Sequence, residues 1–253
     1  FDVLPIYFDG HIYRHAALFS ASLVSVNNTE RTDLPINICQ DDIYLSLDLI
    51  MHLTHQVRDI HKDFAARGVK LYFIVYDLLL AQHPEWWAPG FGDQFNAWLV
   101  SISEIATGLI CISRAVRDEV SGWLQANPSR RIVGGPEIAW FHLGADVGNS
   151  LPSRGMPDSA ELTLRQIAIR KSFLMVSTIE PRKGYAQALA AFNLLWDQGE
   201  DVNLIIVGKR GRLVDDLVSE LLAHKEKDKR LFWLEGISDE YLEKIYATST
   251  CLI

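Results

Sequence analysis

In the stretch STIEPRKGYAQALAAF, Ser177 to Phe192, two adjacent cations stand between a proline and a glycine, directly ahead of an apolar-striped segment. Arg182 offers a planar fork of donors and Lys183 a compact point charge, a combination suited to a diphosphate. A helix starting at this point would add unpaired N–H groups and a partial positive charge, which attract anions. Pro181 stiffens the approach. Gly184 removes a side chain where the backbone must turn or come close to a ligand. The segment that follows places Ala188, Leu189, Phe192 and Leu195 at helical spacing, so packing does not need the cations. A solvated surface pair is the other reading of the same residues.

Other residues carry weaker chemical signals. Asp77 interrupts an apolar run near its C-terminal end. A buried carboxylate is costly unless paired, so its presence suggests the mouth of a site. It is the candidate catalytic residue, although holding a loop or capping a helix is equally open to it. His83 is a nearby titratable group before a proline, where a structural role is the simpler reading. Trp86, Trp87, Phe91, Phe95 and Trp98 form an aromatic cluster suited to core packing or to contact with a ligand. No Asp-x-Asp and no His/Cys cluster with ligand spacing occurs, so no metal is expected. No GxGxxG occurs, which weakens a dinucleotide-dependent oxidoreductase.

The elements that must position these residues alternate along the chain. Tyr13–Val26 reads as a helix, Asp42–Asp48 as a strand and Met51–Arg67 as a helix ended by Gly68. VKLYFIVY, Val69 to Tyr76, is a nearly continuous apolar run of the kind buried on both faces in parallel sheets. A helix over Asp93–Thr107, a strand over Leu109–Ile112, a helix over Arg114–Gln125 capped by Ser113, and a strand over Ile138–Leu143 follow. Asp146 to Ser159, DVGNSLPSRGMPDS, has the Gly, Pro, Ser and Asp content of a linker. Beyond it, strands over Phe173–Ser177, Asn203–Val207 and Leu231–Glu235 alternate with helices over Tyr185–Gln198, Leu213–His224 and Asp239–Ala247. Cys251–Ile253 begins another strand. Such alternation predicts an α/β fold with parallel sheets, in which ligands bind beyond the C-terminal strand ends. We read domain boundaries of 1–150 and 151–253, with the second domain incomplete and the chain cut at both ends.

The bulk numbers exclude several classes. With 253 residues, nearly half of them apolar, the chain can bury a core. A net charge of −8 argues against a nucleic-acid partner, which requires a basic face. Cys39, Cys111 and Cys251 are too scattered for a disulfide framework or a zinc site and suit a reducing compartment. No apolar run reaches the ~18 residues of a membrane span, and no signal peptide is visible.

IEPRKGYAQALAAFNLL, then NLIIVGKRG and ISDEYLEKIYA, resembles the nucleotide-sugar domain of the retaining, GT-B glycosyltransferases that include bacterial mannosyltransferases. VYDLLLAQHPEWW, GLICISRAVRDEV and FHLGAD resemble acceptor-domain segments of the same family, in the same order. The resemblance implies two Rossmann-like domains, residues 1–150 on the acceptor side and 151–253 on the donor side. It implies that Arg182 and Lys183 bind the donor diphosphate. The family arginine more often lies at the position of Thr178, after a glycine where this chain has Ser177. Gly208 and Lys209 resemble a second strand-end loop beside the donor, with Gly208 allowing close backbone approach; a plain strand-to-helix turn is the alternative. Ile237 and Ser238 match a backbone contact to the base, with Ser238 otherwise an N-cap. Tyr76 stands where relatives often have a histidine.

The implied function is a metal-independent, retaining hexosyltransferase in polysaccharide assembly such as O-antigen or capsule. GDP-mannose is the favoured donor and a glycan or lipid-linked molecule the acceptor. The implied location is the cytoplasm, with peripheral association at the inner face of a membrane. A sugar-nucleotide epimerase and a non-catalytic scaffold of the same fold are the alternatives. The family's Glu-x7-Glu pattern is expected beyond Ile253, so these residues alone are expected to be inactive.

Overall fold

The computed structural model describes residues 3–17, 19, 33–128, 134–144 and 151–253. The chain divides into two units, Phe1–Pro84 with Pro89–Gly144, and Glu85–Ala88 with Ala145–Ile253. The break at Gly144–Ala145 lies at the start of the Gly/Pro/Ser/Asp-rich tract, of which 146–150 fall outside the described residues.

In the first unit an antiparallel hairpin, β1 (Ile6–Phe8) and β2 (Tyr13–His15), precedes a four-stranded parallel sheet. Its strands β3 (Ile43–Ser46), β4 (Lys70–Val75), β5 (Gly108–Cys111) and β6 (Glu137–Trp140) lie side by side in chain order. The helices are α1 (Thr54–Ala66), the short α2 (Leu79–Gln82), α3 (Phe91–Ile105) and α4 (Arg114–Ala126). Two of the long helices each bury one stripe: Val57, His61 and Phe64 on α1, Phe95, Trp98, Leu99 and Ile102 on α3. Gly68, with φ +84°, ends α1 in the left-handed conformation that glycine tolerates. Ser113 caps α4 by accepting the Val116 N–H, as its sequence position predicts.

The helix expected from Tyr13 is corrected. Tyr13–His15 pair with β1, and helical backbone begins only at Ala17; 18 and 20–26 of that expectation lie outside the described residues. The Tyr13 side chain instead joins a buried polar cluster. Its hydroxyl lies 2.9 Å from His61 Nε2 and 3.0 Å from the Tyr44 hydroxyl, and Phe64 and Phe73 pack around the group. Burial lowers the His61 pKa to about 4, so its imidazole is neutral at physiological pH.

The second unit contains α5 (Ala160–Ala168), β7 (Lys171–Val176), α6 (Tyr185–Asp197), β8 (Val202–Val207), α7 (Asp215–Ala223), β9 (Leu231–Leu234), α8 (Asp239–Thr248) and β10 (Cys251–Leu252). All pairings in its sheet are parallel, and the strand order is β10-β7-β8-β9. Every residue of β8 is buried, as a central parallel strand requires. Alternate residues serve opposite faces. Leu204 and Ile206 pack with Tyr185, Leu189, Phe192 and Trp196 of α6 and with Val218 and Leu221 of α7. Ile205 and Val207 pack with Ala160 and Ile167 of α5 and with Tyr241 and Ile245 of α8. Helix α5 was not anticipated from the sequence. Both units are thus α/β with Rossmann-like parallel sheets. Among the described residues no helix is long and apolar enough to cross a membrane.

Candidate functional site

Strand β7 has β8 on one side and the returning β10 on the other. The connections leave in opposite directions at this point, which makes it the topological switch point of the sheet. The loop after β7 therefore opens where parallel α/β sheets hold ligands.

That loop stays zipped to its neighbour beyond the strands. Ser177 N–H donates to Val207 O (3.1 Å), Ile179 N–H to Lys209 O (2.9 Å) and Gly211 N–H to Ile179 O (3.1 Å). Ile179 is fully buried and anchors the loop in the core. The Tyr185 hydroxyl, from the first residue of α6, donates to Ser177 O at 2.7 Å. The Trp233 indole N–H donates to Gly208 O at 2.9 Å.

This zipper explains the glycines. A Cβ at Gly208 would fall on the carbonyl oxygen of Ser177, and one at Gly211 on that of Ile179. The close approach at Gly208 is between two strand-end loops, a demand for glycine separate from the expected approach to a ligand. Gly184 serves the turn: its φ is +72°, and a Cβ there would meet nothing closer than Gln187 Oε1 at 4.0 Å.

Pro181–Lys183 form a single 3-10 turn before α6, and Lys183 N–H donates to Glu180 O (3.0 Å). Arg182 and Lys183 are both exposed at the end of β7. Among the described residues Lys183 makes no ion pair. Arg182 Nε lies 3.0 Å from a Glu180 carboxylate oxygen, and its guanidinium carbon lies 5.8 Å from the ring centroid of Trp87. Thr178 is exposed on the same loop and Lys209 on the next one. Arg210 is engaged by the Asp215 carboxylate through its side chain and by Glu235 through its N–H.

At the start of α8 the linker takes the available groups. Ser238 accepts the Tyr241 N–H (3.1 Å) and donates to Gly155 O. Asp239 accepts from the N–H and hydroxyl of Ser153 at 2.8 and 2.7 Å, which holds its carboxyl below the usual carboxylate range. The N–H groups of Asp239 and Glu240 donate back to Ser153. Ser238 thus caps a helix, and Ile237, beside it, packs on the core of the unit.

In the first unit Asp77 is exposed, so no burial penalty marks it. Its carboxylate accepts the Leu79 N–H (3.0 Å), an Asx turn that leads into α2. Tyr76 donates its hydroxyl to Leu47 O at 2.8 Å. Phe95 and Trp98 pack together in the core, while Trp86 and Trp87 neighbour each other and Trp87 faces Arg182. Among the described residues no three His, Cys, Asp or Glu side chains gather as metal ligands would.

Residues 165–253, which contain the zipped loops and the cation pair, match the family model described as glycosyl transferases group 1. That segment is similar to the family over its whole matched length. The whole chain is 41% identical over 256 aligned residues to a serotype-specific mannosyltransferase WbdA of Escherichia coli, and 40% identical to a second protein of that name. The chain spans about 31% of the length of these relatives. The crystal structure of Anabaena Alr3699/HepE in complex with UDP-glucose aligns with a TM-score of 0.49 at 16% identity, over 80% of this chain and 54% of that one. The matched segment contains Arg182, Lys183, Gly208 and Ser238. It also contains Glu180, which the sequence reading passed over although it stands two residues before Arg182.

Proposed function

We infer that this chain provides the donor-binding part of a retaining glycosyltransferase of GT-B type, which moves mannose from GDP-mannose to a glycan or lipid-linked acceptor in polysaccharide assembly. The observation that carries the reading is the exposed Arg182–Lys183 pair at the switch-point strand end of a segment similar to the group 1 family. The name mannosyltransferase borne by relatives at about 40% identity supports the choice of sugar. In this mechanism Arg182 and Lys183 bind the diphosphate, and the exposed residues Thr178 and Lys209 line the donor side. As the sugar–phosphate bond breaks, negative charge builds on the leaving diphosphate. Cations carried on a loop whose backbone is already hydrogen-bonded stabilise that charge. The acceptor hydroxyl attacks from the face the leaving group vacates, so the anomeric configuration is retained. No metal is required, because the two cations do the neutralising. The first unit serves the acceptor, and the enzyme works at the cytoplasmic face of a membrane.

Charge-assisted hydrogen bonds are worth about 1.5–3 kcal/mol each. Lys183→Ala in the full-length protein is therefore expected to weaken GDP binding roughly tenfold or more in calorimetry, with folding unchanged because the side chain is exposed. Unchanged GDP affinity would overturn the assignment.

A further inference from the structure

The Arg182 guanidinium is held from two sides. Its Nε edge faces Glu180 at 3.0 Å, with the two side chains 30% and 32% exposed. Its guanidinium carbon lies over the Trp87 indole, 5.8 Å from the ring centroid, in the stretch Glu85–Ala88 that belongs to the second unit. Glu180 is itself fixed. Its backbone is extended at φ −138°, ψ 154°, it follows the fully buried Ile179, and its carbonyl accepts the Lys183 N–H. Its side-chain stem lies against Gly211, where a Cβ would come within 2.9 Å of Glu180 Cγ.

A guanidinium carries five donors on one rigid plane. A carboxylate at Nε and an indole beside the guanidinium carbon leave the terminal Nη groups to a ligand. A carboxylate touching a diphosphate directly would repel it, whereas one placed behind the arginine fixes the fork and keeps its long side chain from wandering. We propose that Glu180 is a positioning residue for Arg182, which, with Trp87, aims the terminal Nη groups at a nucleoside diphosphate. This rests on the reading of Arg182 and Lys183 as the diphosphate site.

The test is a double-mutant cycle in the full-length protein. GDP and UDP are each titrated by calorimetry, and the tighter ligand is used for Glu180→Gln, Arg182→Ala and the double variant. Its monophosphate is the control, and thermal unfolding checks that each variant is folded. Glu180→Gln is near-isosteric. It is expected to weaken the diphosphate about fivefold in the parent, to change it less than twofold beside Arg182→Ala, and to change the monophosphate less than twofold. Trp87→Leu is expected to behave in the same way and serves if Glu180→Gln fails to fold. An equal loss with and without Arg182 would mean that Glu180 acts directly or through the fold, and would overturn the proposal. Tighter diphosphate binding by Glu180→Gln would make Glu180 a competitor of the ligand and would overturn it as well. If Arg182→Ala alone leaves affinity unchanged, or neither diphosphate binds the parent, the underlying site reading falls, and Glu180 with it.

Discussion

The ends of the two parallel sheets use their polar residues in opposite ways. In the first unit the strands follow chain order, and the polar groups at their C-terminal ends hold the local backbone. Asp77 accepts the Leu79 N–H, Tyr76 donates to Leu47 O, and Ser113 caps α4. In the second unit β10 returns beside β7, and the loops beyond β7 and β8 are tied by backbone hydrogen bonds from Ser177 to Gly211. There the backbone ladder, with the Tyr185 and Trp233 side chains, carries the loops, and Lys183 stands without an ion pair among the described residues. A charged group near a strand end is available to a ligand only when the loop beneath it stands without it.

The largest expected effect tests that division at its foundation. Gly208→Ala would drive a Cβ into the Ser177 carbonyl, so the zipper must open. Overpacking commonly costs 1–3 kcal/mol, and a clash with backbone belongs at the upper end, so about 3 kcal/mol is expected in urea unfolding. GDP affinity should fall with it. A stable variant with parent-like affinity would show that the loops do not need their zipper.

A similar magnitude belongs to the first unit but answers to pH. His61 is buried against Tyr13 and Tyr44, whose own pKa values burial raises, so both stay neutral. The folded His61 titrates near 4 instead of 6.5. Between those values the unfolded chain binds a proton that the folded one refuses, so stability is complete above pH 6.5 and lost as pH falls toward 4. The loss amounts to about 3 kcal/mol at 1.36 kcal/mol per unit. Urea unfolding at pH 7 and pH 4.5 should show it, and His61→Phe should flatten the His61 contribution. An unchanged pH slope in His61→Phe would exclude the residue as the source.

The smallest effect concerns Asp77. Asp77→Ala removes the acceptor of that Asx turn and is expected to cost about 1 kcal/mol. A lost transfer activity with an unchanged unfolding midpoint would instead assign the carboxylate to chemistry.

What was legible in the sequence follows from where the information lies. Strands β4 and β8 are continuous apolar runs, and α6 repeats apolar residues at helical spacing, so local pattern sufficed. The Ser113 and Ser238 caps are local too. Tyr13 was misread because Ala16 and Ala17 extend its pattern into a plausible helix, while its actual partners, Tyr44 and His61, lie far along the chain. Helix α5 was hidden behind linker-like composition, although Ala160, Leu164 and Ile167 supply its apolar side. In the site, Arg182 and Lys183 were legible because their neighbours in sequence define the junction. The demand for glycine at 208 was not, since it comes from a carbonyl on another strand. Nor was the role of Trp87, whose partner is distant in sequence; Glu180 was close enough to have been weighed.

The zipped loops also set how binding would register in time and heat. Amide protons of Ile179 and Gly211 are tied into the sheet's ladder and should exchange with solvent as slowly as strand amides, although they lie past the strand ends. A ligand arriving at Arg182 and Lys183 would then meet a formed backbone. The ordering entropy that a disordered phosphate loop must surrender on association would already have been spent during folding. Hydrogen exchange at these two amides should accordingly differ little between the free and the GDP-bound protein.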